Sequence, residues 1–81
     1  MYAEMISIYF QKLKELREDK RLTQTDVGRI LSMMQNVYST YEVGYRTIPL
    51  DCLLILVDFY NTSTDYILGR TNEINPYPIK K

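Results

Sequence analysis

The stretch from Thr23 to Gly44, TQTDVGRILSMMQNVYSTYEVG, constrains the fold more than any other part of the chain. Two short apolar patterns at helical spacing lie in it, Val27, Ile30 and Leu31 first and Tyr38 and Tyr41 second, separated by Ser32, Met33 and Met34. Thr23 followed three residues later by Asp26 approximates a capping box, with Asp a shorter partner than Glu, and starts a helix over about Gln24 to Leu31. Gly28 inside that helix either accommodates the closely approaching backbone of another helix or merely weakens its own. After the Ser32–Met34 turn, a second helix runs over about Gln35 to Val43 and stops at Gly44, which tolerates the left-handed conformation. Helical periodicity puts Met34, Tyr38 and Tyr41 on one buried stripe and Asn36, Thr40 and Val43 on the other side. The outward side is uncharged, short and hydrogen-bonding.

The remaining segments read as support for this pair. Residues 1–6 carry no clear pattern; Ser7 is the first N-cap candidate, for a helix over about Ile8 to Lys20. Tyr9, Leu13 and Leu16 form its apolar stripe, while Lys12, Lys14, Glu15, Glu18 and Asp19 face water. Pro49 breaks the chain at Ile48 before a helix over about Leu50 to Tyr60. Leu50, Leu53, Leu54 and Val57 are helically spaced there, but Ile55, Leu56 and Phe59 widen the stripe almost all the way round, so this helix is the centre of the fold or partly a dimer surface. Asn61 closes it, Ser63 caps a short helix through Leu68, Gly69 ends that one, and the tail from Arg70 is extended. No alternating strand pattern or internal repeat is present. The expectation is an all-α, compact five-helix bundle.

At 81 residues there is room for one domain, and 46% apolar with 25% charged residues is a globular composition. The single Cys52, in an apolar run, is expected to be an inert core thiol; one cysteine and no histidine argue against a disulfide framework and a metal site. Cys52 to Val57, the longest apolar run, is far short of the roughly 20 residues that span a bilayer, and no secretory signal is read, so the expected compartment is cytoplasmic. No histidine, metal-ligand cluster or glycine-rich phosphate loop supports catalysis, so neither an enzyme, a cofactor nor a small-molecule substrate is expected. Ten Lys plus Arg balance ten Asp plus Glu, which counts against nucleic acid unless Lys12, Lys14, Lys20, Arg21, Arg29 and Arg46 share a side that the acids avoid.

Four segments together carry a resemblance: LKELREDKRLTQTDVGRIL from Leu13, YSTYEVG from Tyr38, the Ile48-Pro49 pair, and DFYNTSTDYILGRT ending at Thr71. In this order they resemble the lambda-repressor-like, Cro/C1-type (XRE) helix-turn-helix family. The resemblance implies residues 1–71 as a DNA-binding domain followed by a tail over 72–81, with the second and third helices as the DNA-reading unit and the third in the major groove. It implies that Gln24 grips a phosphate and braces the third helix, that Gln35, Asn36 and Thr40 face base edges, and that Arg46 lies in a backbone-touching loop. Arg17 and Glu42 match a buried pair tying the first helix to the end of the third. Ser32 departs from the family's usual turn glycine, and Met34 stands where a Ser or Thr cap is common.

Gln and Asn amides pair bidentately with adenine N6 and N7, a contact worth about 1–3 kcal/mol of discrimination. Gln35 and Asn36 are therefore base readers or, on the plainer reading, polar residues at a helix start. Val37 touches a thymine methyl or packs on the second helix; Tyr38 and Tyr41 belong to the core. Phosphate anchoring falls to Gln24, Arg46, Tyr45, Arg29 and Thr47, with Arg29 alternatively solvated. The function expected is a sequence-specific, phage-type transcriptional repressor at the nucleoid, binding double-stranded DNA as a homodimer on a pseudo-palindromic operator. Its rival is a protein-interaction module or antitoxin-like component with the same fold and little DNA binding of its own.

Overall fold

The computed structural model describes residues 2–76, with side chains from Tyr9 onward. Five helices follow in order: α1 Tyr2–Asp19, α2 Gln24–Ile30, α3 Gln35–Glu42, α4 Leu50–Tyr60 and α5 Thr64–Ile67. There are no strands among the described residues. Helix α3 packs on α2 and α1, and α5 packs on α1 and α4. The core gathers Tyr9, Leu13 and Leu16 of α1, Val27 of α2, Tyr38 and Tyr41 of α3, Leu53, Leu56 and Tyr60 of α4, Ile67 of α5, and the connecting Leu31 and Ile48. The buried backbone amide of Ile48 donates to the Tyr9 hydroxyl at 2.9 Å, fastening the α3–α4 loop to α1.

Helix ends follow one device throughout. Arg21, Ser32, Gly44, Asn61 and Gly69 all have positive φ. After each of them, an amide donates five residues back: Leu22 to Arg17, Met33 to Gly28, Tyr45 to Thr40, Thr62 to Val57 and Arg70 to Asp65. This is the Schellman arrangement, which satisfies carbonyls that a helix end leaves without partners. Three of the five positions are not glycine, and an L side chain in this region costs about 1–2 kcal/mol. Ser32 at φ 57 thus occupies the conformation for which a turn glycine is the easy solution.

The starts match their sequence signals at α2 and α5. The Thr23 hydroxyl accepts from the Asp26 amide and the Asp26 carboxylate accepts from the Thr23 amide, so the box closes with the shorter acid. The Ser63 hydroxyl accepts from the Tyr66 amide at 3.1 Å.

Two expectations change. Helix α1 begins at Tyr2, so Ser7 lies inside it instead of capping it. No Gly or Pro interrupts residues 2–8, and Ala3, Glu4 and Met5 are good helix formers, so the helix continues through the serine. Met34, assigned to the buried stripe of α3, is 73% exposed. It precedes α3 as an extended N-cap with φ −75 and ψ 154 and makes no side-chain cap, so helical periodicity does not govern where it points. On α4 the buried residues are Leu53, Leu56 and Tyr60, while Leu50, Leu54, Ile55 and Phe59 are exposed, with Asp51 and Asp58 exposed between them. Cys52 is half-buried, and burial pushes its thiol pKa up. The Thr62 hydroxyl donates to the Ile74 carbonyl, holding the start of the tail beside the end of α4. The rest of the expected extended tail, from Tyr77, lies outside the described residues.

Gly28 sits where α2 meets the turn. A Cβ on it would stand 2.8 Å from the Met33 carbonyl oxygen and 3.6 Å from the Gln35 amide nitrogen. The close neighbour is therefore the backbone of the following turn, not that of another helix as expected. Gly28→Ala is expected to destabilise the domain by about 1–2 kcal/mol, because overpacking against backbone exceeds the helix-propensity gain. Urea denaturation measures this, and an unchanged or higher midpoint would contradict the close approach.

Candidate nucleic-acid interface

The site begins with a buried charge. Glu42, in the last turn of α3, has a side chain only 3% exposed. Arg17 of α1 grips it through two bonds, Nε to Oε2 at 2.7 Å and Nη2 to Oε1 at 3.1 Å. The third guanidinium nitrogen, Nη1, donates to the Leu22 carbonyl at 2.9 Å in the α1–α2 loop. Such a two-bond fork fixes direction as well as distance. Gln24, the first residue of α2, donates from Nε2 to the same Glu42 Oε1 at 3.1 Å. One carboxylate therefore joins α1, α2 and α3.

Burial alone would raise the Glu42 pKa, but the interactions with Arg17, Tyr38 and Gln24 outweigh it and hold the carboxyl below the ordinary glutamate range. The bond to Glu42 in turn raises the Arg17 pKa. Tyr38, fully buried next to this carboxylate, has its phenol pushed far up by burial and by the negative charge.

The network continues to the surface. Gln35, the first residue of α3, donates from Nε2 to Gln24 Oε1 at 2.6 Å. Gln24 is half-buried and Gln35 exposed, so a line of side chains runs from the Arg17–Glu42 pair to the outward face of α3. That face presents Gln35 and Asn36, both exposed, then Ser39 and Thr40, both half-buried, and Val43, which is 70% exposed. The Thr40 hydroxyl donates to the Val37 carbonyl at 2.6 Å, which leaves its lone pairs as acceptors. Val37 is half-buried and packs against the core. Ser39 was missed in the sequence reading, although its spacing of four from Gln35 and three from Asn36 puts it on the same face.

The residues expected to meet phosphates lie on α2 and in the loop after α3. Arg29 of α2 and the loop residues Tyr45, Arg46 and Thr47 are exposed, with Tyr45 at 78%. The amides of Tyr45 and Arg46 both donate to the Thr40 carbonyl, so the loop starts from a defined position at the end of α3. Among the basic residues considered for a shared side, Lys14, Lys20, Arg21, Arg29 and Arg46 are exposed, whereas Lys12 lies half-buried over the Tyr66 ring, 4.4 Å from its centroid. From Thr47 to Gly69 the sequence has no Lys or Arg and includes Asp51, Asp58 and Asp65. That stretch is net negative, whereas residues 1–46 hold seven Lys or Arg together with six Asp or Glu. No group of His, Cys, Asp and Glu that could hold a metal occurs among the described residues.

Five helices with a tight turn between α2 and α3, and a polar α3 face braced from behind, define a helix-turn-helix domain. The helix-turn-helix family model matches residues 13–67, and the chain belongs to this Cro/C1-type family. It is 36% identical over 69 residues to the HTH-type transcriptional regulator YobD of Bacillus subtilis, covering 85% of this chain and 62% of that protein. It is 42% identical over 60 residues to the HTH-type transcriptional regulator ImmR of the same organism, covering 74% and 47%. A third relative, the antitoxin PezA of Streptococcus pneumoniae, is 30% identical over 66 residues, covering 82% and 42%. The chain therefore spans less than two thirds of the length of each of these relatives. No solved structure matches it significantly. No helix among the described residues is long and apolar enough to cross a membrane.

Because Glu42 titrates below the usual range in the folded protein, its charge contributes stability that is present above the unfolded-state pKa of about 4.3 and is lost as pH falls through the folded value. The acid limb of a stability–pH curve should therefore be shallower in Glu42→Gln than in the wild type. Glu42→Ala, which strands Arg17, is expected to cost about 3–5 kcal/mol at neutral pH. Parallel acid limbs in wild type and Glu42→Gln would contradict the assignment of this carboxylate.

Proposed function

We propose that this chain is a sequence-specific DNA-binding transcriptional regulator of phage-repressor type. The observation that carries the reading is the outward face of α3, uncharged and rich in hydrogen-bonding groups, whose leading residue Gln35 is held by Gln24 against a buried charge. Amides at the start of a helix that enters the major groove meet the donors and acceptors of base edges. Gln35, Asn36 and Thr40, joined by Ser39 and with Val37 at the flank, are the base-facing set. Gln24, Arg29, Tyr45, Arg46 and Thr47 position the domain on phosphates, which supply affinity without sequence information. The names of YobD and ImmR as transcriptional regulators support the same reading.

Two measurements test it. Binding to random duplex should weaken steeply with salt, since displacing counterions from the backbone demands it. Gln35→Ala with Asn36→Ala should reduce the preference for a selected operator over random duplex by about tenfold or more while changing affinity for random duplex little. Absence of binding to any duplex at low salt would overturn the function; unchanged preference in the double variant would overturn the base-facing set.

One short recognition helix reads few base pairs, so the operator is a pseudo-palindrome bound by a homodimer. The exposed apolar residues of α4, Leu50, Leu54, Ile55 and Phe59, support a surface for a second copy. Leu54→Glu with Ile55→Glu should shift sedimentation from dimer to monomer and weaken operator binding. A wild type that stays monomeric at high concentration, with and without operator DNA, would exclude the homodimer. The same apolar residues favour the second reading, a protein-interaction module related to antitoxins; it predicts retained folding with no salt-dependent duplex binding.

A further inference from the structure

The bonds from Glu42 to Gln35 have a direction set by chemistry. An ionised carboxylate only accepts hydrogen bonds, whereas an amide has an oxygen that accepts and a nitrogen that donates. Glu42 Oε1 therefore requires the nitrogen end of Gln24, found at 3.1 Å. Turning that nitrogen inward leaves the Gln24 oxygen facing Gln35. An oxygen in that position in turn requires the nitrogen end of Gln35, found at 2.6 Å. The orientation of both amides thus follows from the charge at the buried end of the chain and does not depend on telling oxygen from nitrogen at either residue.

The outer end of the relay has a definite composition. One N–H of Gln35 is used on Gln24, so its Oε1 and its second N–H remain: one acceptor and one donor. Adenine presents a donor at N6 and an acceptor at N7 in the major groove, which complements that pair; guanine presents two acceptors, O6 and N7, one of which would meet the Gln35 oxygen. Resting on the reading that Gln35 faces a base, we propose that the Glu42 charge, relayed through Gln24, fixes the donor–acceptor polarity of Gln35 and makes it select adenine over guanine. Glu42 and Gln24 are then positioning residues for base specificity, Glu42 without any contact to DNA.

Glu42→Gln removes the constraint while keeping shape. With its amide oxygen kept on Arg17 Nε, the substituted side chain puts its nitrogen where Oε1 stood. That nitrogen donates to Gln24, the bond from Arg17 Nη2 is given up, and the reversed relay turns both N–H groups of Gln35 outward, the pair that guanine accepts. Gln24→Ala, at the partly exposed start of α2, cuts the relay without touching the Arg17–Glu42 pair. The experiment takes the operator selected from random DNA and identifies the base pair at which Gln35→Ala loses preference. Affinities for duplexes carrying A·T or G·C at that position are then measured at one salt concentration for each variant, after cooperative unfolding has confirmed that it is folded. Wild type is expected to favour adenine by about tenfold or more. Glu42→Gln and Gln24→Ala should each bring that ratio to about threefold or less, with preferences at other positions intact. A general loss of affinity in Gln24→Ala from a missing phosphate contact leaves the ratio interpretable. The proposal is overturned if either folded variant keeps the wild-type ratio, or if the Gln35 position prefers guanine in the wild type. A wild type with no sequence preference on any duplex would overturn the function instead, and a Gln35→Ala variant with every preference unchanged would overturn both Gln35 as a reader and the relay's role.

Discussion

The domain is organised around one buried charge, the Glu42 carboxylate. Burying the Glu42 carboxylate carries a desolvation cost that its Coulombic attraction to Arg17 does not reliably exceed, so the pair is not to be counted as a large source of stability. Its effect is geometric. Glu42 is satisfied only if Arg17 of α1 approaches as a fork, Gln24 of α2 presents its nitrogen, and the end of α3 lies between them. Arg17 adds the Leu22 carbonyl, so the loop leading into α2 is tied to the same centre. Any slide of α3 against α1 or α2 would leave a buried ion without donors. A helix that must offer its side chains at a repeatable distance from a partner gains more from such a penalty for misplacement than from additional apolar area.

The helices themselves need this support. Those of seven, eight and four residues, α2, α3 and α5, are too short to persist alone in water, where the nucleation cost outweighs the few hydrogen bonds formed. Their limits come from caps and from packing. The capping box at Thr23 starts α2 at Gln24, the residue that must point inward, and left-handed residues at Ser32 and Gly44 bring the chain sharply out of α2 and α3. The tight approach of Met33 to Gly28 shortens the connection and places Gln35 within reach of Gln24. Local chemistry at four residues thus sets the distance that the hydrogen-bond relay uses.

Much of this was legible in the residue pattern, and the exceptions share a cause. Spacing of apolar residues located α2 to α5 to within a residue at each end, and Thr23, Gly44, Asn61 and Ser63 marked termini because capping is a local, one-residue effect. Periodicity failed for Met34, because the residue lies just outside the helix whose phase was applied to it. On α4, apolar almost all the way round, hydrophobicity alone left the buried side open; it is the side of Leu53, Leu56 and Tyr60. The start of α1 was placed late, since a serine signals a cap only where the preceding residues resist helix. At the site, Arg17 and Glu42 were named from the resemblance. Sequence did not state that Gln24 spends one end of its amide on Glu42 and the other on Gln35, because that depends on rotamers across two helices.

A net charge of zero loses its weight as an objection once individual acids are followed. Asp26 is engaged in the capping box, Glu42 is buried on Arg17, and Asp65 lies 3.9 Å from Arg70, so part of the negative charge is committed to the fold. Asp51 and Asp58 belong to the stretch without Lys or Arg that includes the exposed apolar residues of α4. The field felt by a phosphate at about 10 Å in physiological salt is that of nearby groups, because more distant charges are screened. On the segments around α3 the cations are Arg29 and Arg46; the acids are Asp26, which stays charged in its capping box three residues before Arg29, and Glu42, paired with Arg17. What governs approach to an anionic backbone is this local balance of charges. The totals over the chain describe solubility and leave the sign of the face undetermined.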